Sequence, residues 1–98
     1  MEKILEKAEE FEKIIKEGTW IVDFNATWCG PCKMLSPILS DVAKEDVNVL
    51  KVDTDEFDEI AMKFGIMSIP TLIVFKDGKE VNKSVGLISK EQIMDLVK

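Results

Sequence analysis

The sequence predicts an α/β fold, a central mixed sheet of four to five strands flanked by helices on both faces. Three observations carry that prediction. Residues 19–25 (Thr-Trp-Ile-Val-Asp-Phe-Asn) and 47–53 (Val-Asn-Val-Leu-Lys-Val-Asp) are β-rich runs with little polar alternation, the pattern of strands covered on both faces. A helical stripe lies between them, which makes the two strands parallel. Downstream, Lys76-Asp77-Gly78-Lys79 is a tight-turn signal that joins two further strands as an antiparallel hairpin.

Taken in order, the chain opens with apolar residues Ile4, Leu5, Ala8, Phe11, Ile14 and Ile15 at the spacing of an amphipathic helix over 2–17, with Gly18 as its C′ residue. Ile4-Leu5 also fits a short opening strand, with the helix beginning near Ala8, and periodicity does not separate the two. After the first buried strand, Met34, Leu35, Ile38, Leu39 and Val42 form a helical stripe to about Lys44. Pro37 inside it predicts a kink rather than a stop.

Asp55 is the expected N-cap of the next helix, whose first turn carries Glu56, Asp58 and Glu59 where the helix dipole favours anions. That helix packs through Ile60, Ala61 and Phe64 and ends at Gly65. Residues 71–75 and 80–85 are the hairpin strands, and Gly86 breaks the second. Ser89-Lys90-Glu91-Gln92 is a capping box that opens a final helix through Ile93, Leu96 and Val97. The predicted order is α-β-α-β-α-β-β-α, in one domain spanning 1–98.

Composition narrows the function. The 98 residues are 46% hydrophobic, a globular balance, and the net charge of -6 repels phosphate backbones and anionic membranes. Nucleic acid and membrane are therefore not expected as partners. No apolar run approaches the ~18 residues of a membrane span and no leader is visible, so a cytoplasmic location is expected. All 13 cations are lysines and histidine is absent. Cys-His and Ser-His-Asp catalysis are thereby excluded, and too few soft ligands remain for a zinc site within one chain.

Both cysteines fall in Trp28-Cys29-Gly30-Pro31-Cys32, between the first strand and the helical stripe. Two sulfurs three residues apart can close and reopen a small disulfide ring with little chain movement, which suits reversible two-electron chemistry. Cys29 is placed at or just before the helix start, where free backbone N–H groups and the positive end of the dipole favour a thiolate. It is the expected nucleophile. Cys32, one turn inside, is expected to be less exposed and to act as the resolving thiol. Gly30 permits close approach of backbone, and Pro31 costs no hydrogen bond in a first helical turn. Asp23 is a carboxylate in an otherwise apolar strand: buried, its pKa rises and it can exchange protons with a thiol; at a strand end it is merely solvated. Lys51, within Val49-Leu50-Lys51-Val52, either reaches Asp23 from the neighbouring strand or snorkels.

Beyond the cysteine pair, the chain carries Val22-Asp23-Phe24, Ala26-Thr27, Lys33-Met34, Pro37, Val52-Asp53, Phe64-Gly65-Ile66, Ile69-Pro70-Thr71, Phe75-Lys76-Asp77-Gly78 and Val85-Gly86. In order and spacing this set resembles the thioredoxin family over nearly the whole chain. The departures are Asn25, where the family often has an aromatic residue, a short N-terminus, and a short segment between Ala43 and Val47.

The resemblance implies a thioredoxin fold and a protein-disulfide reductase that needs no bound cofactor beyond a redox-active Cys29–Cys32 disulfide. It implies disulfide-containing proteins as substrates, a thioredoxin reductase as electron donor, and electron transport in cell redox homeostasis; a monomer is expected. It makes Asp23 the buried acid that assists Cys32 and Lys51 its tuning lysine. Sequence alone favours a trans Ile69–Pro70 bond. The resemblance implies cis, with Ile69 offering backbone hydrogen bonds to an extended substrate. Trp28, Gly30, Pro31, Ile69, Pro70, Val85 and Gly86 then line the substrate site, although Trp28 among apolar neighbours also reads as core.

Two other functions compete. A glutaredoxin-like or isomerase-like member of the same superfamily would handle glutathione mixed disulfides or rearrange protein disulfides; the absence of Arg and the acidity weaken recognition of the anionic glutathione. A scaffold subunit would use the fold for binding alone.

Overall fold

The computed structural model describes residues 1–98. Five strands form one sheet in the order β1-β3-β2-β4-β5: β1 (Glu2–Ile4), β2 (Thr19–Asn25), β3 (Asn48–Asp53), β4 (Thr71–Lys76) and β5 (Lys79–Val85). Strands β1, β3 and β2 are parallel, β4 is antiparallel to β2, and β5 is antiparallel to β4. The expected mixed sheet is present at its upper strand count.

Of the two readings of the N-terminus, the continuous helix over 2–17 is corrected and the short opening strand with helical structure from Ala8 is the one present. Glu2–Ile4 is an edge strand paired with β3, a 3-10 turn spans Ala8–Glu10, and α1 covers only Phe11–Ile15. Ile4 belongs to the helical stripe on paper but is 67% exposed, whereas Leu5 is buried. Backbone pairing with β3 overrides a stripe that Ile4 does not fulfil. The hairpin turn is as expected: Asp77 and Gly78 have φ of 50° and 84°, the left-handed pair that a two-residue connection between twisted strands requires.

Helix α2 (Gly30–Ala43) runs unbroken through Pro37, and α4 (Lys90–Leu96) opens on the complete Ser89–Gln92 capping box. Helix α3 (Asp58–Lys63) starts later than predicted, and Asp55 does not cap it. Asp53 Oδ1 instead accepts from the N–H groups of Asp55 and Glu56, turning the chain as it leaves β3, while the Asp55 carboxylate is engaged elsewhere.

Side chains alternate along β2, so Val22 and Phe24 face one core and Ile21 the other. The first core, with Phe11, Ile15 and Ala61, lies under α1 and α3. The second, with Leu35, Leu39, Val42 and Ile93, lies under α2 and α4. Leu35 and Leu39 are fully buried, each contributing ~1.5–3 kcal/mol of transfer free energy, and they clamp α2 to the sheet. The N-terminus of α2 is thereby fixed where β2 ends and β4 begins, with Phe24 opposite Thr71 in register.

Candidate functional site

The cysteine pair sits at this edge. Cys29 and Cys32 are joined as a disulfide, with Cα atoms 5.2 Å apart. Cys29 is the N-cap residue of α2, extended at φ -89° and ψ 112°, and its Sγ accepts from the Cys32 N–H at 3.2 Å. The backbone N–H groups of the first helical turn have no partner inside the helix, so the sulfur occupies the place of a capping oxygen. Pro31 lies in that turn, where a missing N–H costs nothing. Gly30 is not demanded by the fold, since a Cβ there meets nothing within 4 Å.

Exposure corrects one expectation. Cys29 is 4% exposed and Cys32 6%, so both residues are buried and Cys32 is not the less exposed of the two in this disulfide form. Ala26 and Ile69 pack against the pair, and Cys29 Sγ lies 3.9 Å from the Ile69 carbonyl oxygen. The Ile69–Pro70 bond is cis. Pro70 is buried and accepts through its carbonyl from the Gly86 N–H at 2.8 Å, which ties the Ile69–Pro70 loop to the end of β5. Gly86 at φ 98° adopts a backbone that side chains rarely tolerate. Ile69 thus packs against the disulfide, and Pro70 links the Ile69 loop to Gly86, next to Val85 at the end of β5.

Trp28 is surface, not core. Its ring is largely exposed and its Nε1 donates to Asp55 Oδ2 at 2.8 Å. Beside it, a shallow cavity is lined by Trp28, Thr54, Ile66, Met67, Ser68 and Ile69.

Asp23 is buried and lines a cavity together with Cys32. Its Oδ2 accepts from Asn25 Nδ2 at 3.3 Å, while Oδ1 has no partner. Burial pushes its carboxyl up to about 7; the Lys51 charge and the Asn25 hydrogen bond oppose the rise, and Glu2 adds to it. A cavity of about 360 Å³ connects Asp23 with Cys32, Asn25, Lys33, Ser36 and Lys51. Cys32, not Cys29, opens onto this cavity.

Lys51 stands opposite Asp23 in register but forms no ion pair with it. Its Nζ donates to Ser36 Oγ at 2.6 Å and to Glu2 Oε2 at 2.9 Å. The sequence alone does not mark Ser36, Glu2 or Asp55 as site residues. Ser36 follows Cys32 by four residues, one turn along the same helix face, which is a usable signal. Glu2 and Asp55 reach the site only through tertiary contacts. No three His, Cys, Asp or Glu side chains converge on a metal position.

Comparison with known proteins agrees with this geometry. The Thioredoxin family model matches residues 2–98. The chain is 50% identical over 90 residues to a thioredoxin of Staphylococcus saprophyticus, covering 89% of this chain and 86% of that one. It is 46% identical over 91 residues to a thioredoxin of Staphylococcus aureus, covering 90% and 88%. Among solved structures, a mutant thioredoxin from Halobacterium salinarum superposes with a TM-score of 0.92 at 34% identity, covering 98% of this chain and 87% of that one. Reduced Schistosoma mansoni thioredoxin pre-protein gives 0.90 at 34% identity, covering 98% and 94%. With a family match over nearly its whole length, a closely similar fold and its cysteine pair at the head of α2, the chain belongs to the thioredoxin family.

Proposed function

We propose that the chain reduces protein disulfides, with Cys29 as the attacking thiolate, Cys32 as the resolving thiol and Asp23 as the proton partner of Cys32. The observation that carries this reading is asymmetry within one disulfide: Cys29 caps α2, whereas Cys32 opens onto the cavity that holds the buried carboxyl. In the reduced protein the α2 N-terminus favours the thiolate form of Cys29.

The Cys29 thiolate attacks one substrate sulfur, forming a mixed disulfide and expelling the other substrate sulfur as thiolate. The Cys32 thiol then gives its proton to Asp23, and its thiolate attacks Cys29 Sγ. The Cys29–Cys32 bond forms, the second substrate sulfur leaves, and two electrons have passed to the substrate. A carboxyl held near neutrality is a suitable acceptor, because the best general base has a pKa close to the working pH. Trp28, Gly30, Pro31, Ile69, Pro70, Val85 and Gly86 frame the entry for an extended segment of substrate. A dithiol-supplying reductase returns the disulfide to the dithiol, and a reducing compartment such as the cytoplasm suits that cycle.

The test is turbidimetric reduction of a protein disulfide by dithiol-charged protein, wild type against Cys29→Ser. The wild type is expected to accelerate precipitation and the variant to match the uncatalysed rate. A wild type no faster than the variant rejects the mechanism.

A further inference from the structure

We propose that Glu2, on the opening strand, is a positioning residue for the proton chemistry of Asp23, because it tethers the Lys51 ammonium away from the buried carboxyl. The proposal rests on the reading of Asp23 as proton partner of Cys32, and it adds a group outside the residues assigned to that chemistry above.

Register explains how a residue so far along the sheet reaches the site. Ile4 of β1 pairs with Lys51 of β3, and Lys51 pairs with Asp23 of β2. Partners in register share a face of the sheet, and Glu2, two residues before Ile4, shares it too. All three charged side chains therefore emerge toward α2.

On that face they form a chain of contacts. Ser40 Oγ donates to Glu2 Oε1 at 3.0 Å, Glu2 Oε2 takes the Lys51 ammonium at 2.9 Å, and Lys51 donates onward to Ser36 Oγ at 2.6 Å. Ser36 and Ser40 lie one turn apart on α2. The ammonium is thus spanned between β1 and α2 at the wall of the Asp23 cavity, and Asp23 Oδ1 is left without a partner.

The groups facing Asp23 are Asn25 on its own strand, Lys51 on β3 with Glu2 behind it, and Cys32, Lys33 and Ser36 on α2. Its partner on β4, Leu72, carries no charge. Lys51 is therefore the cation whose position Glu2 controls. An ammonium within about 4–6 Å favours the ionised carboxylate strongly, whereas one compensated by an adjacent anion favours it much less. The Lys51 hydrogen bond holds the Glu2 carboxyl below the usual carboxylate range, so the tether stays anionic across the pH interval in which Asp23 titrates.

Carbon-13 NMR titration of the Asp23 carboxyl in the oxidised protein tests this directly. Glu2→Gln keeps an oxygen for Ser40 but releases the ammonium, and the Asp23 midpoint is expected to fall. Well below that midpoint, about tenfold more carboxylate should be ionised. Lys51→Met should raise the midpoint, and in that background Glu2→Gln should have little further effect. An unmoved or raised midpoint in Glu2→Gln overturns the tether, as does a fall that persists undiminished with Lys51→Met.

The pH profile of Cys32 resolution in single turnover supplies the second readout. Its acid limb should move to lower pH in Glu2→Gln. A shifted carboxyl titration with an unmoved profile rejects Asp23 as the proton partner while the tether itself stands, so the two failures are distinguishable.

Discussion

Asp23 and Lys51 stand opposite each other across the β2–β3 pair, yet the ammonium bonds Glu2 and Ser36 and one carboxyl oxygen of Asp23 has no partner. The buried acid is therefore held mainly by desolvation, and its pKa rises from 3.8 to about 7.

That rise has a definite consequence for stability. Between the unfolded and folded pKa values the native state keeps a proton that the unfolded chain has lost, so this group's contribution to stability falls as pH climbs from about 4 to about 7. At 1.36 kcal/mol per pH unit, the loss has a ceiling of about 4 kcal/mol. Asp23→Asn, which cannot ionise, should be close to wild type in stability near pH 4 and progressively more stable up to pH 8. Urea unfolding across that range measures the difference. A constant gap would show that Asp23 ionises in the fold as it does in the unfolded chain.

Asn25 opposes the desolvation. Its Nδ2 donates to both the backbone oxygen and Oδ2 of Asp23, at 3.1 and 3.3 Å. Hydrogen bonds to charged groups contribute about 1.5–3 kcal/mol, and this one favours the ionised carboxyl. Asn25→Ala should raise the Asp23 midpoint further and move the acid limb of the resolution profile to higher pH. Carboxyl NMR and single-turnover kinetics read the two effects, and a downward shift would contradict the role given to the amide.

The parts of this site legible in sequence are those set by local chemistry. The C-x-x-C spacing permits a disulfide and the following apolar stripe places it at a helix start, Asp77-Gly78 signals the hairpin turn, and Ser89–Gln92 signals the last helix cap. Asp23 stood out because a carboxylate in an apolar strand is costly. Contacts between distant segments were not legible. Ile4-Leu5 satisfies both helical and strand patterns, and only the β3 edge decides between them. Glu2 reaches Lys51 through that same pairing, and Asp55 gives its carboxylate to Trp28 instead of to α3. The cis Ile69–Pro70 bond runs against the local preference and follows from family resemblance alone.

The division of labour proposed for the sulfurs predicts different failures for the two serine variants. Cys29→Ser removes the proposed nucleophile and should form no adduct. Cys32→Ser leaves the attack intact but removes the resolving thiol, so a mixed disulfide through Cys29 should accumulate with a mass gain equal to the bound substrate. Intact-mass analysis under non-reducing conditions distinguishes them. An adduct on Cys32 in the Cys29→Ser protein, at the rate seen for Cys29, would reverse the assignment.

Trp28 separates recognition from stability. It is 69% exposed and its single polar contact is the surface hydrogen bond to Asp55, so Trp28→Ala should cost less than about 1 kcal/mol in unfolding free energy. The same change strips an aromatic wall from the cavity it shares with Ile66, Met67 and Ile69. If that wall docks substrate, the second-order rate of protein-disulfide reduction should drop by about tenfold, equivalent to about 1.4 kcal/mol of transition-state binding. Trp28→Phe keeps the apolar face and loses the N–H donor, and should retain most of the rate. Equal losses in both variants would assign the effect to the Asp55 hydrogen bond instead of the ring, and Asp55→Ala should then reproduce it.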